Sequence, residues 1–153
     1  MKRVEVKLSL AVVAPLLDVI KQLAGGLGQK LAAPQELGDI DTEFRDAWVG
    51  ELLTGQSADV QALLALFDDE FFLEGVVAFD KDNAEPIMRA CAAVRLRLRE
   101  VYLKGLGDDI LEGGDVELEE LSEPVRKAFM CYLFLATVQE LIIQYLDSSI
   151  IES

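Results

Sequence analysis

From Ser122 to Leu146 the chain reads SEPVRKAFMCYLFLATVQELIIQYL, a run with helical spacing that is apolar on almost all sides. A helix of that kind has little surface to give to water, so other elements must enclose it. This stretch selects a mainly α, compact helical bundle with the last helix at its centre. Ser122 is placed to cap it, and Pro124 falls in the first turn, where a missing N–H is harmless. Its longest uncharged part, AFMCYLFLATVQ, falls short of the roughly 18 apolar residues that a membrane span requires. The chain has 153 residues, the length of one ordinary domain, and 1–153 is read as a single unit.

The elements that would surround this helix can be read from periodicity. Residues 4–10, VEVKLSL, alternate apolar and polar as a half-buried strand does. VVAPLLDVIKQLA predicts a helix with Pro15 in its first turn, stopped by Gly25 and Gly26. Asp39 or Asp41 opens a helix to about Leu53, with Ile40, Phe44, Ala47, Trp48 and Leu52 at helical spacing. Thr54, Gly55 and Gln56 interrupt it, and Ser57 caps a further helix through ADVQALLALF. GVVAF is a candidate short strand pairing with residues 4–10, with a buried connection as the alternative. The fold expectation is therefore a helical bundle with one or two short β-strands near the N-terminus.

Charge is unevenly spread. The net charge is −14, with −11 on residues 34–83, −7 on 105–121 and +3 on 84–104. Such a balance argues against nucleic acid and against anionic membrane surfaces, since both require clustered lysine and arginine. Hydrophobic residues make up 52% of the chain, at or slightly above the usual apolar fraction, so part of the surplus is assigned to an interface. Cys91 and Cys131 lie far apart in apolar runs and form no CxxC, which reads as small buried hydrophobes in a reducing compartment. No leader with a small-residue cleavage site precedes Pro15 and Asp18. The expected location is cytoplasmic.

Several chemistries are excluded. The chain has no histidine, which removes serine–histidine and cysteine–histidine nucleophile systems and the HExxH metal motif. GGLGQK fails as a phosphate loop, because Gln29 stands where glycine is needed and Leu31 where serine or threonine is needed. Asp108, Glu112, Gly113 and Glu119 fall at calcium-loop positions 1, 5, 6 and 12, but Ile110 at position 3 offers no oxygen. Asp80 and Asp82 lack the glycine of such a loop, and Asp82 with Glu85 fits a helix cap instead. No catalytic residue, cofactor or metal ligand is assigned, and an enzyme is disfavoured.

Residues 88–103, MRACAAVRLRLREVYL, hold four of the seven arginines. At about 100° per residue, Ile87, Cys91, Val94, Leu98, Val101 and Tyr102 share one apolar arc. A second ridge holds Ala92, Leu96 and Leu103. Arg95 and Arg99 lie between the two ridges, whereas Arg89 and Arg97 fall on the wet side. Half-buried guanidinium groups call for carboxylates, and Glu43, Asp46 and Glu140 are the candidates within the chain. An internal ion-pair clamp is the expectation. The alternative is a pocket around Arg95 and Arg99 that takes a small anion or an acidic partner.

The order of these features resembles a bacterial family catalogued as domain of unknown function 2017. The resemblance rests on the N-terminal strand and helix, EFRDAWVGELL, VRLRLREVYL and LATVQELIIQYL. Phe44 and Arg45, and Arg95 and Leu96, align with the family's better-defined helices. Its asparagine–aspartate pair ahead of that arginine is Ala92–Ala93 or Ala93–Val94 here. The family has no assigned activity to carry over. The functional expectation is a non-enzymatic interaction or regulatory module with a protein partner or self-association. The alternative is a small-anion binder or a histidine-free enzyme using Arg95 and Arg99.

Overall fold

The computed structural model describes residues 3–27, 42–107, 110–111 and 117–152. In chain order the elements are β1 (Val4–Lys7), α1 (Leu10–Leu27), α2 (Thr42–Ala65), α3 (Asp69–Glu74), β2 (Val76–Phe79), α4 (Ala84–Val101) and α5 (Glu123–Glu152), with a short 3-10 turn at Leu118–Glu120. The fold is mainly helical with one small sheet, as the periodicity predicts.

β1 and β2 pair antiparallel, with Val4 opposite Phe79 and Lys7 opposite Val76. GVVAF is thus a strand. The turn into it is set by Gly75, which closes α3 with φ +73, and a Cβ there would lie 2.7 Å from the Leu8 carbonyl oxygen. Leu8 N–H donates to the Gly75 carbonyl at 2.7 Å, so the close approach is itself a rung of the ladder. Only glycine is at ease in both the left-handed conformation and the contact.

The helices form one buried cluster that runs from Val13 in α1 to Ile142 in α5. Its hub is α4, which packs against α1, α2 and α5. That corrects the expectation that the last helix is central. Along α4, Ala84, Ile87, Ala90, Cys91, Val94 and Leu98 are all buried. Small side chains at three of these positions let neighbouring helices approach closely on both flanks. α5 buries Phe129, Cys131, Tyr132, Leu135, Val138 and Ile142 but leaves Leu133 and Ile143 in water, 38% and 46% exposed. By length and composition α1 and the Glu123–Gln144 part of α5 could cross a membrane. Their buried sides meet in the shared core.

Two predicted breaks are not breaks. α1 runs through Gly25 and Gly26 to Leu27, whose side chain is buried and whose carbonyl accepts from Gln56 Nε2 at 2.6 Å. Two helical glycines cost about 2 kcal/mol relative to alanine. Burying Leu27 returns about 1.5–3 kcal/mol, and the glutamine bond satisfies an end carbonyl. α2 likewise continues through Gly55, with Ser57 inside the helix and the Thr54 hydroxyl donating to Gly50 O at 3.0 Å. Pro15 lies inside α1, which starts earlier than predicted, at Leu10. The proposed helix start at Asp39 or Asp41, with Ile40, lies outside the described residues, as do Asp108, Glu112 and Gly113.

The start of α4 also differs from the predicted Asp82–Glu85 box. Asp80 Oδ1 accepts from the backbone N–H groups of Asp82 and Asn83 at 2.8 and 2.9 Å. Asn83 turns its side chain back to β2, accepting from Asp80 N at 2.8 Å and donating to Ala78 O at 3.1 Å. The strand and the helix are thereby joined through one amide.

Candidate functional site

The four arginines of α4 are spent in different ways. Arg89 makes a two-pronged pair with Asp59 of α2, Nε to Oδ2 at 2.9 Å and the second terminal nitrogen to Oδ1 at 3.0 Å. Glu85, one turn back, lies 3.4 Å away. This pair, above all its hydrogen bond to Asp59, raises the Arg89 pKa further. Arg89 was expected to be plain surface charge; it ties the acidic helix α2 to the hub. Arg97 pairs with Glu100 on its own helix at 3.0 Å and passes beside Gly26 of α1. Arg99 is half-buried, one turn beyond Arg95.

Arg95 faces α5. Its guanidinium carbon lies 4.4 Å from the centroid of the buried Tyr132 ring, a cation–π distance. One terminal nitrogen donates to Gln139 Oε1 at 2.8 Å. Gln139 Nε2 in turn donates to the Met88 carbonyl at 3.1 Å, so the amide is held from both ends and fixes the guanidinium. Arg95 Nε is sealed from solvent and has no hydrogen-bond partner. No carboxylate oxygen among the described residues pairs with Arg95.

A groove of about 600 Å³ opens at this point between α4 and α5. Met88 and Leu111 form one side, and Leu133, Ala136 and Ile143 of α5 form the other. Arg95, Thr137, Gln139 and Glu140 supply its polar side chains. The structure therefore brings Arg95 and Glu140 to one groove. Asp46 is exposed on α2, and the side chain of Glu43 lies outside the described residues. Gln139 and Tyr132 were not singled out from the sequence. Their seven-residue spacing puts them on one face of α5, which is the signal that could have found them.

A second feature stands on α2. Among the described side chains from Phe44 to Gly55 none is buried. Phe44 and Trp48, one turn apart, are 58% and 41% exposed, and half-buried Leu52 continues the same line. Glu51 is exposed beside them, and Asp46 is exposed on the opposite face of the helix. The stripe has the i, i+4, i+8 spacing of a helix that docks into a groove.

The two thiols do not behave as reactive groups. Cys91 and Cys131 are buried and free, and burial pushes each thiol up to about 12. The nearby Arg95 charge pulls Cys91 the other way, but desolvation outweighs it. Among the described residues no group of acidic and cysteine side chains is arranged to hold a metal ion.

The model of a family described as domain of unknown function (DUF2017) matches residues 10–146, and the chain belongs to that family. No curated protein and no solved structure matches the chain.

Proposed function

We propose that this member of the domain of unknown function 2017 family is a non-enzymatic protein-interaction module whose docking element is the first half of α2. The observation that carries this reading is the exposed Phe44–Trp48 pair on a helix segment with no buried side chain among those described. An apolar helical stripe left in water is an unspent source of binding free energy. Its flanks set the partner's chemistry. Glu51 borders the stripe, and residues 34–83 carry a net charge of −11. The matching surface is an apolar groove with a basic rim on another protein. A second copy fits less well, because each copy brings a net charge of −14 to the contact.

Trp48 is the chain's one tryptophan, so its fluorescence reports on the stripe directly. A partner captured from the native host's lysate should be lost when Phe44 and Trp48 are both changed to alanine, with the helical circular dichroism unchanged. The purified partner should then shield Trp48 from acrylamide quenching, and Trp48→Ala should weaken binding about thirtyfold or more, the usual scale for an aromatic anchor. Retention of every captured protein by the double variant would refute the reading. So would sedimentation showing that the stripe serves only to pair two copies of this chain.

A further inference from the structure

β1 carries a second contact surface, one that shares no residue with the α2 stripe. The alternation of the ladder sorts its backbone groups. Leu8 bonds to Gly75 directly opposite, so Val4, Val6 and Leu8 direct their N–H and C=O groups at β2. Glu5 and Lys7, in between, direct theirs away from it. Among the described residues nothing bonds to those outward groups. An edge of this kind is a template for one more strand.

The two faces of β1 are left unfinished in the same way. Val77 and Phe79 of β2 are sealed in the core, yet Val6 and Val4, their partners on the same face of the sheet, are only half-buried. A strand beyond β1 would cover them. The other face presents Glu5 and Lys7 to water. Glu5 lies 3.7 Å from Arg3 with both side chains largely exposed, and Lys7 has no ion-pair partner among the described residues.

We propose that the strand completing this edge is β1 of a second copy, antiparallel and centred on Val6. In that register Glu5 of each copy lies directly opposite Lys7 of the other. Both residues point their backbone groups across the seam, so each pair exchanges two backbone hydrogen bonds and adds one cross-strand ion pair, repeated about a two-fold axis. On the apolar face Val6 meets Val6, and Val4 meets Leu8. The smallest slip that keeps the hydrogen bonding is two residues, and it sets Glu5 against Glu5 or Lys7 against Lys7. Like charges directly opposite are destabilising, so charge selects one register. The net charge of −14 does not gather at this contact, since residues 3–9 carry Arg3 and Lys7 against Glu5 alone. A four-residue edge makes a small interface, so the dimer is weak and reversible.

The test is sedimentation velocity of the full chain from about 10 μM to about 1 mM, the range in which a weak interface associates. The monomer should pass into a dimer, and amide hydrogen exchange at the upper end should slow at Glu5 and Lys7. Lys7→Glu and Glu5→Lys should each weaken self-association about tenfold or more, because each turns both ion pairs into like-charge pairs. Both side chains are exposed, so the circular dichroism should not change. An equal mixture of the two variants should recover the dimer, since one copy then carries acid at both positions and the other carries base. The Phe44→Ala, Trp48→Ala variant should dimerise as the parent does, which separates this edge from the α2 stripe. A monomer throughout the range, a dimer indifferent to either charge reversal, or a mixture no more associated than its components would each overturn the proposal. Loss of the dimer in the stripe variant would do the same, by moving the self-association to α2.

Discussion

Changing glycine to alanine should shift stability in opposite directions at two positions of this chain. At Gly75 φ is +73 and the new Cβ would sit 2.7 Å from the Leu8 carbonyl oxygen. The left-handed conformation alone costs an alanine about 1–2 kcal/mol. Relieving the contact means moving the end of β1, which disturbs the 2.7 Å bond from Leu8 N–H to Gly75 O. A bond of that kind is worth about 0.5–1.5 kcal/mol net. Reduced freedom of the unfolded chain returns about 0.4–1 kcal/mol. The balance is a destabilisation of about 2 kcal/mol. At Gly55, inside α2 and exposed, a Cβ would meet nothing within 4 Å. Alanine there should stabilise by about 1 kcal/mol, the difference in helix propensity. Urea unfolding followed by circular dichroism at 222 nm separates the two. With a slope of about 2 kcal/mol per molar urea, the midpoint should fall by about 1 M for Gly75→Ala and rise by about 0.5 M for Gly55→Ala. A Gly75→Ala midpoint equal to the parent's would mean that the β1–β2 junction is not held as described. A destabilised Gly55→Ala would mean that α2 does not run unbroken through that position.

Three further outcomes follow from the packing. Gln139→Leu should cost about 1.5–3 kcal/mol in the same urea assay, because it strips a charged donor on Arg95 of its acceptor, whereas Thr137→Ala on the exposed side of α5 should change little. Arg89→Ala and Asp59→Ala, measured singly and together, should give a coupling of at most about 1 kcal/mol that shrinks in molar salt, since Arg89 is 54% exposed. The thiols make stability fall at alkaline pH. Each folded pKa is raised from 9.0 to about 12, so the stabilising effect of the neutral thiol is complete below about pH 9 and is lost between there and pH 12. At pH 10 the loss is on the order of 1 kcal/mol per cysteine, and a Cys91→Ala, Cys131→Ala variant should lose that part of the alkaline decline. An identical pH profile in parent and variant would refute the assignment.

The periodic features were legible in the sequence because one helix or strand carries them alone. Ile87, Cys91, Val94, Leu98, Val101 and Tyr102 were read as one apolar arc; the first four are buried, Tyr102 is half-buried, and Val101 at the end of the helix is 46% exposed. The alternation from Val4 onward was read as a strand and the GVVAF run as either a strand or a buried connection; both are strands, and they pair. What periodicity does not encode is how many neighbours a helix has. The second ridge was read as Ala92, Leu96 and Leu103; Leu103, beyond the end of α4, is buried, whereas Ala92 and Leu96 are exposed. Helix ends were misread for a related reason. Gly25, Gly26 and Gly55 are local stop signals, but Leu27 and Gln56 lie in tertiary contact and keep the helices going. The groove was half visible. Arg95 and Glu140 were singled out, but the contacts Arg95 makes are with Gln139 and Tyr132, and a polar amide in an apolar run announces no partner until two helices are set side by side.

The side chain of Asn83 has a consequence for how copies of this protein can meet. Leu8 N–H to Gly75 O fixes the alternation of the ladder, so the backbone groups of Ala78 and Asp80 point away from β1. Asn83 offers them a donor and an acceptor in the positions where a third strand would place its own. Edge-to-edge polymerisation requires two open sides per copy, one to give and one to receive. With Ala78 O and Asp80 N–H taken by an amide, and with the charged pair Glu5 and Lys7 along β1, a copy that joined at β1 would present an opposite edge already occupied at its Ala78–Asp80 end.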